Sequence, residues 1–184
     1  MKYRVSTIVL IAALLLLLIV QNIQAAPNLT TEPSANLAAP AGDYDFTTHG
    51  TAWVAELPTQ FDIFRPNGWG ISVSSKKAGY FWVHIPISYP SRIANDGMEI
   101  KYVEFCAQST NGAITKPVTM DLWEYPGKIV SVPVTWAANN NKQCFGYTFS
   151  PAVWAQDLGI SLKLKFANPA HKITLYKAWV RIVP

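Results

Sequence analysis

Ile160-Ser161-Leu162-Lys163-Leu164-Lys165-Phe166-Ala167 alternates apolar and polar residues without a break. Successive side chains of a strand point to opposite faces, so this stretch puts Ile160, Leu162, Leu164 and Phe166 on a dry side and Ser161, Lys163 and Lys165 on a wet one. A helix would spread the same four apolar residues around its axis. Other runs obey the same rule. Phe81, Val83, Ile85 and Ile87 alternate with Tyr80, Trp82, His84 and Pro86, and Val118, Met120 and Leu122 with Thr119, Asp121 and Trp123. Val130, Val132, Val134 and Trp136 follow. The last run, Lys172 to Val183, is long enough for a central strand, with Tyr176, Ala178, Val180 and Ile182 inward and Lys177, Trp179 and Arg181 outward. Between Ile100 and Val103 the apolar spacing is three rather than two, which predicts a bulge near Lys101.

Turn chemistry separates the runs: Pro66-Asn67-Gly68, Lys77-Ala78-Gly79, Asp96-Gly97, Asn111-Gly112, Pro126-Gly127 and Asn139-Asn140-Asn141. Pro151 to Leu158, with Ser150 as a cap, is the only helical candidate and offers one or two turns. About nine short strands with regular turn signals predict an all-β chain, an antiparallel two-sheet β-sandwich of jelly-roll or immunoglobulin-like type. This single domain is expected over residues 43–184.

The 184 residues include 7 Trp, 8 Tyr and 8 Phe, and only 14% are charged. Such a chain has too little charge and too many aromatics to stay disordered, and it is long enough to bury a core. Lys2 and Arg4 precede an apolar run from Ile8 to Val20, and Ala25 offers a small residue for cleavage, so residues 1–25 read as a signal peptide. The run gives about 20 Å of helix, short of the ~30 Å hydrocarbon layer, so a membrane association is expected only if this segment stays attached as an anchor. Residues 26–42, rich in Pro and Ala, read as a flexible leader carrying the sequon Asn28-Leu29-Thr30. Without residues 1–25 the chain has 13 Lys/Arg against 11 Asp/Glu, a net +2, too small an excess to argue for nucleic acid. In an oxidising compartment Cys106 and Cys144 favour a disulfide over two separate buried thiols.

Four segments together resemble the jelly-roll β-sandwich units of bacterial secreted proteins, carbohydrate-binding modules among them. They are His84-Ile85-Pro86-Ile87, Gly97 to Val103, Val118 to Leu122, and Leu175 to Ile182. The resemblance covers about residues 80–184. It implies a fold and an extracellular address, and it brings no catalytic residues to carry over.

Hydrolytic chemistry needs a nucleophile beside a base, paired carboxylates or a bound metal. His49, His84 and His171 stand apart from one another and from the cysteines, no catalytic motif is present, and Glu99 with Glu104 reads as two solvated strand residues. Neither a cofactor nor a metal site is expected. Asp43, Asp45, Asn95 and Asp96 offer oxygens but match no calcium loop. The informative set is the predicted outward face: Tyr80, Trp82, His84, Trp123, Lys177, Trp179 and Arg181. Flat rings beside hydrogen-bonding side chains suit a polysaccharide or other surface polymer, and the alternative use of the same rings is contact with a protein partner or a second copy of the chain. The third reading buries them under the N-terminal runs at 52–57 and 61–73. From Gly159 onward every charged residue is basic (Lys163, Lys165, Lys172, Lys177, Arg181), which reads as a solubilising strand face or a patch for an acidic polymer.

Overall fold

All four apolar residues of the 160–166 stretch are buried, as a period of two requires of a strand with one dry face. The computed structural model describes residues 42–93, 96–124 and 126–184. The expected signal segment, the leader as far as Ala41 and the sequon lie outside the described residues.

Thirteen strands are described, ten of them five residues or longer: β1 (Tyr44–Thr48), β2 (Val54–Ala55), β3 (Phe61–Asn67), β4 (Gly70–Ser75), β5 (Gly79–Ile87), β6 (Arg92–Ile93), β7 (Asp96–Gly97), β8 (Glu99–Ser109), β9 (Lys116–Glu124), β10 (Gly127–Pro133), β11 (Gln143–Trp154), β12 (Leu158–Phe166) and β13 (Ile173–Val183). Five of them form a front sheet in the order β10-β9-β12-β5-β2. Six form a back sheet, β11-β8-β13-β4-β3, with β1 also paired to β13. Every pairing is antiparallel. The chain is an antiparallel β-sandwich.

One core lies between the sheets. The front sheet contributes Phe81, Val83, Ile85, Met120, Leu122 and the four residues of β12, and the back sheet contributes Ile71, Val73, Val103, Phe105, Leu175, Val180 and Ile182. Fully burying a side chain of this size is worth roughly 1.5–3 kcal/mol, so the two dry faces dominate the fold. Cys106 and Cys144 stand directly opposite in the register of β8 and β11 and form the disulfide.

The bulge expected near Lys101 is present. Arg181 pairs with Tyr102 and Ile182 with Ile100, so Lys101 is the residue skipped. Three expectations need correction. Pro151–Leu158 is not helical: β11 runs through Pro151 to Trp154, Val153 and Trp154 pair with Ile100 and Glu99, and β12 begins at Leu158. Sheet pairing has overridden a weak local preference. Asp96-Gly97 is not a turn but a short strand paired with Arg92–Ile93. Tyr176 does not join the inward set. A second irregularity between Leu175 and Ala178 puts both Leu175 and Ala178 in the core and leaves Tyr176 half-buried and Lys177 exposed.

Candidate functional site

The central strand of the front sheet decides the relief of its outer surface. Outward from β12 come Gly159, Ser161, Lys163 and Lys165, so one end of the strand carries almost no side chain. Its neighbours carry large ones. Gly159 lies beside Trp123 of β9 and Pro86 of β5, Ser161 beside Asp121 and His84, and Lys163 beside Thr119 and Trp82. The result is a cleft of about 420 Å³ with Ser161 on its floor and Glu56, Trp82, His84, Asp121 and Trp123 around it. Four residues of β12 and two strand spacings separate Trp82 from Trp123, which places their backbones roughly 16 Å apart.

Three polar groups in the cleft, Asp121, His84 and Ser161, have defined partners. Asp121, almost fully buried, accepts hydrogen bonds from Ser131 Oγ at 2.5 Å and Lys128 Nζ at 3.2 Å. His84 Nδ1 shares a 2.7 Å hydrogen bond with Ser161 Oγ. Burial holds the His84 imidazole below its ordinary pKa of 6.5, against the opposing charge of Glu56, and so favours the neutral ring. A neutral imidazole beside a hydroxyl and a carboxylate can exchange hydrogen bonds with uncharged hydroxyl groups. Lys163 Nζ lies 5.2 Å from the centre of the Tyr80 ring and 5.7 Å from that of Trp82, and Lys128 Nζ 5.5 Å from that of Trp123.

The seven residues expected to share a face do not share one. Tyr80, Trp82, His84 and Trp123 lie together on the front sheet, whereas Trp179 and Arg181 lie on the back sheet, across the core. Strand alternation says which way a side chain points relative to its own sheet and says nothing about which sheet that is. Lys177 lies on the back sheet too, at the β13 irregularity and in a different cavity from Trp179. The covering layer expected from 52–57 and 61–73 does not form. β2 extends the front sheet beside β5, and β3 and β4 join the back sheet, so Tyr80 is 56% exposed and Trp123 41%.

On the back face the aromatics are occupied with one another. Trp179 Nε1 donates to Glu104 Oε1 at 2.5 Å, Tyr102 donates to the second oxygen of the same carboxylate at 3.1 Å, and the two rings lie 4.9 Å apart. Arg181 sits 5.3 Å from the Trp179 ring centre and grips Asp45 through two hydrogen bonds of 2.8 and 3.1 Å, with Asp43 at 3.9 Å. Glu104 is thus a hydrogen-bonded strut rather than a solvated strand residue, and Asp43 and Asp45 face a guanidinium. Of the groups of metal-ligating type, only Glu104, Cys106 and Cys144 cluster closely among the described residues, and both sulfurs are in the disulfide.

Sequence reasoning passed over Glu56, Asp121 and Ser161 as site residues, and the exposed Trp69 and Trp154. For Asp121 and Ser161 a signal existed: both alternate outward, on strands that also carry Trp123 and Lys163. Glu56 had none, because its place depends on β2 adding to the edge of β5.

No protein-family model matches the sequence, and no curated protein matches it. Solved structures do. The chain has the β-sandwich fold of carbohydrate-binding modules. A xylan-binding module of family CBM15 superposes over 77% of this chain and 97% of its own with a TM-score of 0.51 and 12% identity. A CBM36 domain of a multidomain xylanase from the hindgut metagenome of Trinervitermes trinervoides covers 74% of this chain and 96% of its own, at a TM-score of 0.47 and 8% identity.

Proposed function

We propose that the protein is an exported, non-enzymatic binding module whose front cleft takes an extracellular polysaccharide chain. The observation that carries this reading is the pairing of Trp82 and Trp123 across a floor of Gly159 and Ser161. Sugar rings have flat apolar faces that stack on indoles, and their hydroxyls can exchange hydrogen bonds with the His84 imidazole and donate to the carboxylates of Asp121 and Glu56. A separation of roughly 16 Å between the two indole-bearing positions exceeds one sugar ring, which favours a chain over a monosaccharide. The signal-like N-terminal sequence and the disulfide support the extracellular address.

Affinity electrophoresis through gels containing xylan, mixed-linkage glucan or galactan tests the proposal. The expected result is retardation by at least one of these polymers, quenching or a shift of tryptophan fluorescence on binding, and loss of both in Trp82→Ala and Trp123→Ala. A protein that no polysaccharide retards, with unchanged fluorescence on a glycan array panel, overturns it. Light scattering separates the competing use of the same rings, since burial of this face between two copies would give a dimer that Trp123→Ala dissociates.

A further inference from the structure

Strand β13 changes neighbours halfway along one side. Ile173–Leu175 pairs with β4 and Ala178–Ile182 pairs with β1, so Tyr176 and Lys177 fall at the switch. The backbone there is held from behind. Trp53 Nε1 donates to the Tyr176 carbonyl at 2.8 Å, and a Cβ at Gly50 or Gly70 would lie 2.7 Å from the Tyr176 backbone or 2.2 Å from the Leu175 carbonyl oxygen. Only glycine allows that approach. Where β1 ends and β4 begins, the sheet leaves a cavity of about 540 Å³ whose lining includes Thr47, His49, Trp69, Lys142, Tyr176 and Lys177.

The chemistry of this lining differs from that of the front cleft. Trp69, 53% exposed, stacks on Tyr176 with ring centres 5.3 Å apart and planes at 29°. The Tyr176 hydroxyl donates to Gln108 at 2.7 Å, which fixes the lower ring of the stack. Lys142 Nζ lies 4.6 Å from the centre of the Tyr176 ring. Among the described residues no carboxylate lines the cavity, and neither Lys142 nor Lys177 has an ion-pair partner. A fixed aromatic stack with a half-exposed Trp69, in a cavity also lined by two lysines that have no ion-pair partner among the described residues, matches a ligand that is both a flat ring and an anion.

We propose that this cavity is a second binding site and that it takes the uronate residue of an acidic polysaccharide. The pyranose face lies on Trp69 and the carboxylate sits between Lys142 and Lys177. The site is separate from the front cleft and does not depend on what the front cleft binds.

Affinity electrophoresis of the full chain in polygalacturonate at low salt, with polyglutamate and poly(U) in parallel gels, tests it. Polygalacturonate is expected to retard the protein, and salt to relieve the retardation. Trp69→Ala and the double variant Lys142→Gln/Lys177→Gln are each expected to weaken binding about tenfold. All three side chains are solvent-accessible, and unchanged near-UV circular dichroism confirms that the variants are folded. Trp82→Ala is expected to leave polygalacturonate binding intact, so the two sites fail or succeed separately. Equal retardation by polyglutamate would reduce the site to a charge effect, and stronger retardation by poly(U) would assign it to nucleic acid. Either result, or indifference of polygalacturonate binding to Trp69→Ala, overturns the proposal.

Discussion

The two outer faces of the sandwich use the same residue types to opposite ends. On the front face Trp82 and Trp123 flank a strand reduced to Gly159 and Ser161, and the space between them stays open. On the back face Trp179 is hydrogen-bonded through its indole to Glu104, flanked by Tyr102 and overlaid by Arg181. An outward tryptophan is therefore not by itself a binding residue. What separates the two is whether the neighbouring strand supplies a partner or leaves a gap, and that depends on the residue one strand away rather than on the ring.

Breaking the shared frame gives the largest effect. The disulfide closes a 38-residue separation in the back sheet, so Cys106→Ser/Cys144→Ser is expected to cost about 3–4 kcal/mol in chemical denaturation. Front-face binding by whatever remains folded should be unchanged. Next come the front rings. Trp82→Ala or Trp123→Ala should weaken polysaccharide binding by about 2 kcal/mol, roughly 30-fold, while the melting temperature barely moves. Trp179→Ala should do the reverse, lowering stability by about 1–3 kcal/mol through the lost ring contacts and the carboxylate left without its indole donor, with binding at the front unaltered. A binding loss in Trp179→Ala at constant stability would break the comparison.

The smallest effects are in pH, and they sharpen the contrast. Burial lowers the His84 pKa in the folded protein, so the unfolded chain takes up the proton first. Its contribution to stability is complete above pH 6.5 and is lost as pH falls from there through the folded value. An NMR titration should place the His84 midpoint below 6.5. The back face responds only in acid. The hydrogen bond from Arg181 lowers the Asp45 pKa, so that contribution is present above the ordinary value of 3.8 and is lost as pH falls through the lower folded value. Because both partners are exposed, the effect on stability should be small.

The alternation of β5, β9 and β12 made the fold legible, because one dry face per strand leaves few architectures. The bulge at Lys101 was equally legible, since it interrupts the period within four residues. The irregularity at Tyr176 was not. The backbone there packs against Gly50, Gly70 and Trp53, more than a hundred positions away, and no local period records it. The site was half legible for a related reason. Tyr80, Trp82 and His84 share a strand and were certain to stand together, but placing Trp123 beside them, and Trp179 on the far side of the core, requires the strand order. Pairwise order in a sheet is a long-range property, and a single sequence carries it only through chemistry that many orders would satisfy.

Strand β13 also sets a timetable. It is the sole described link between β8 and both β4 and β1, and its pairing with β1 joins Asp45 to Arg181 over 136 residues of chain. Until β13 is in place, β8, β4 and β1 each present an unpaired edge to any other strand they meet. Contacts of such high sequence separation slow folding toward the millisecond-to-second range. The back sheet should therefore close last and as a unit, and refolding yield should fall with protein concentration more steeply than the stability of the finished sandwich would suggest.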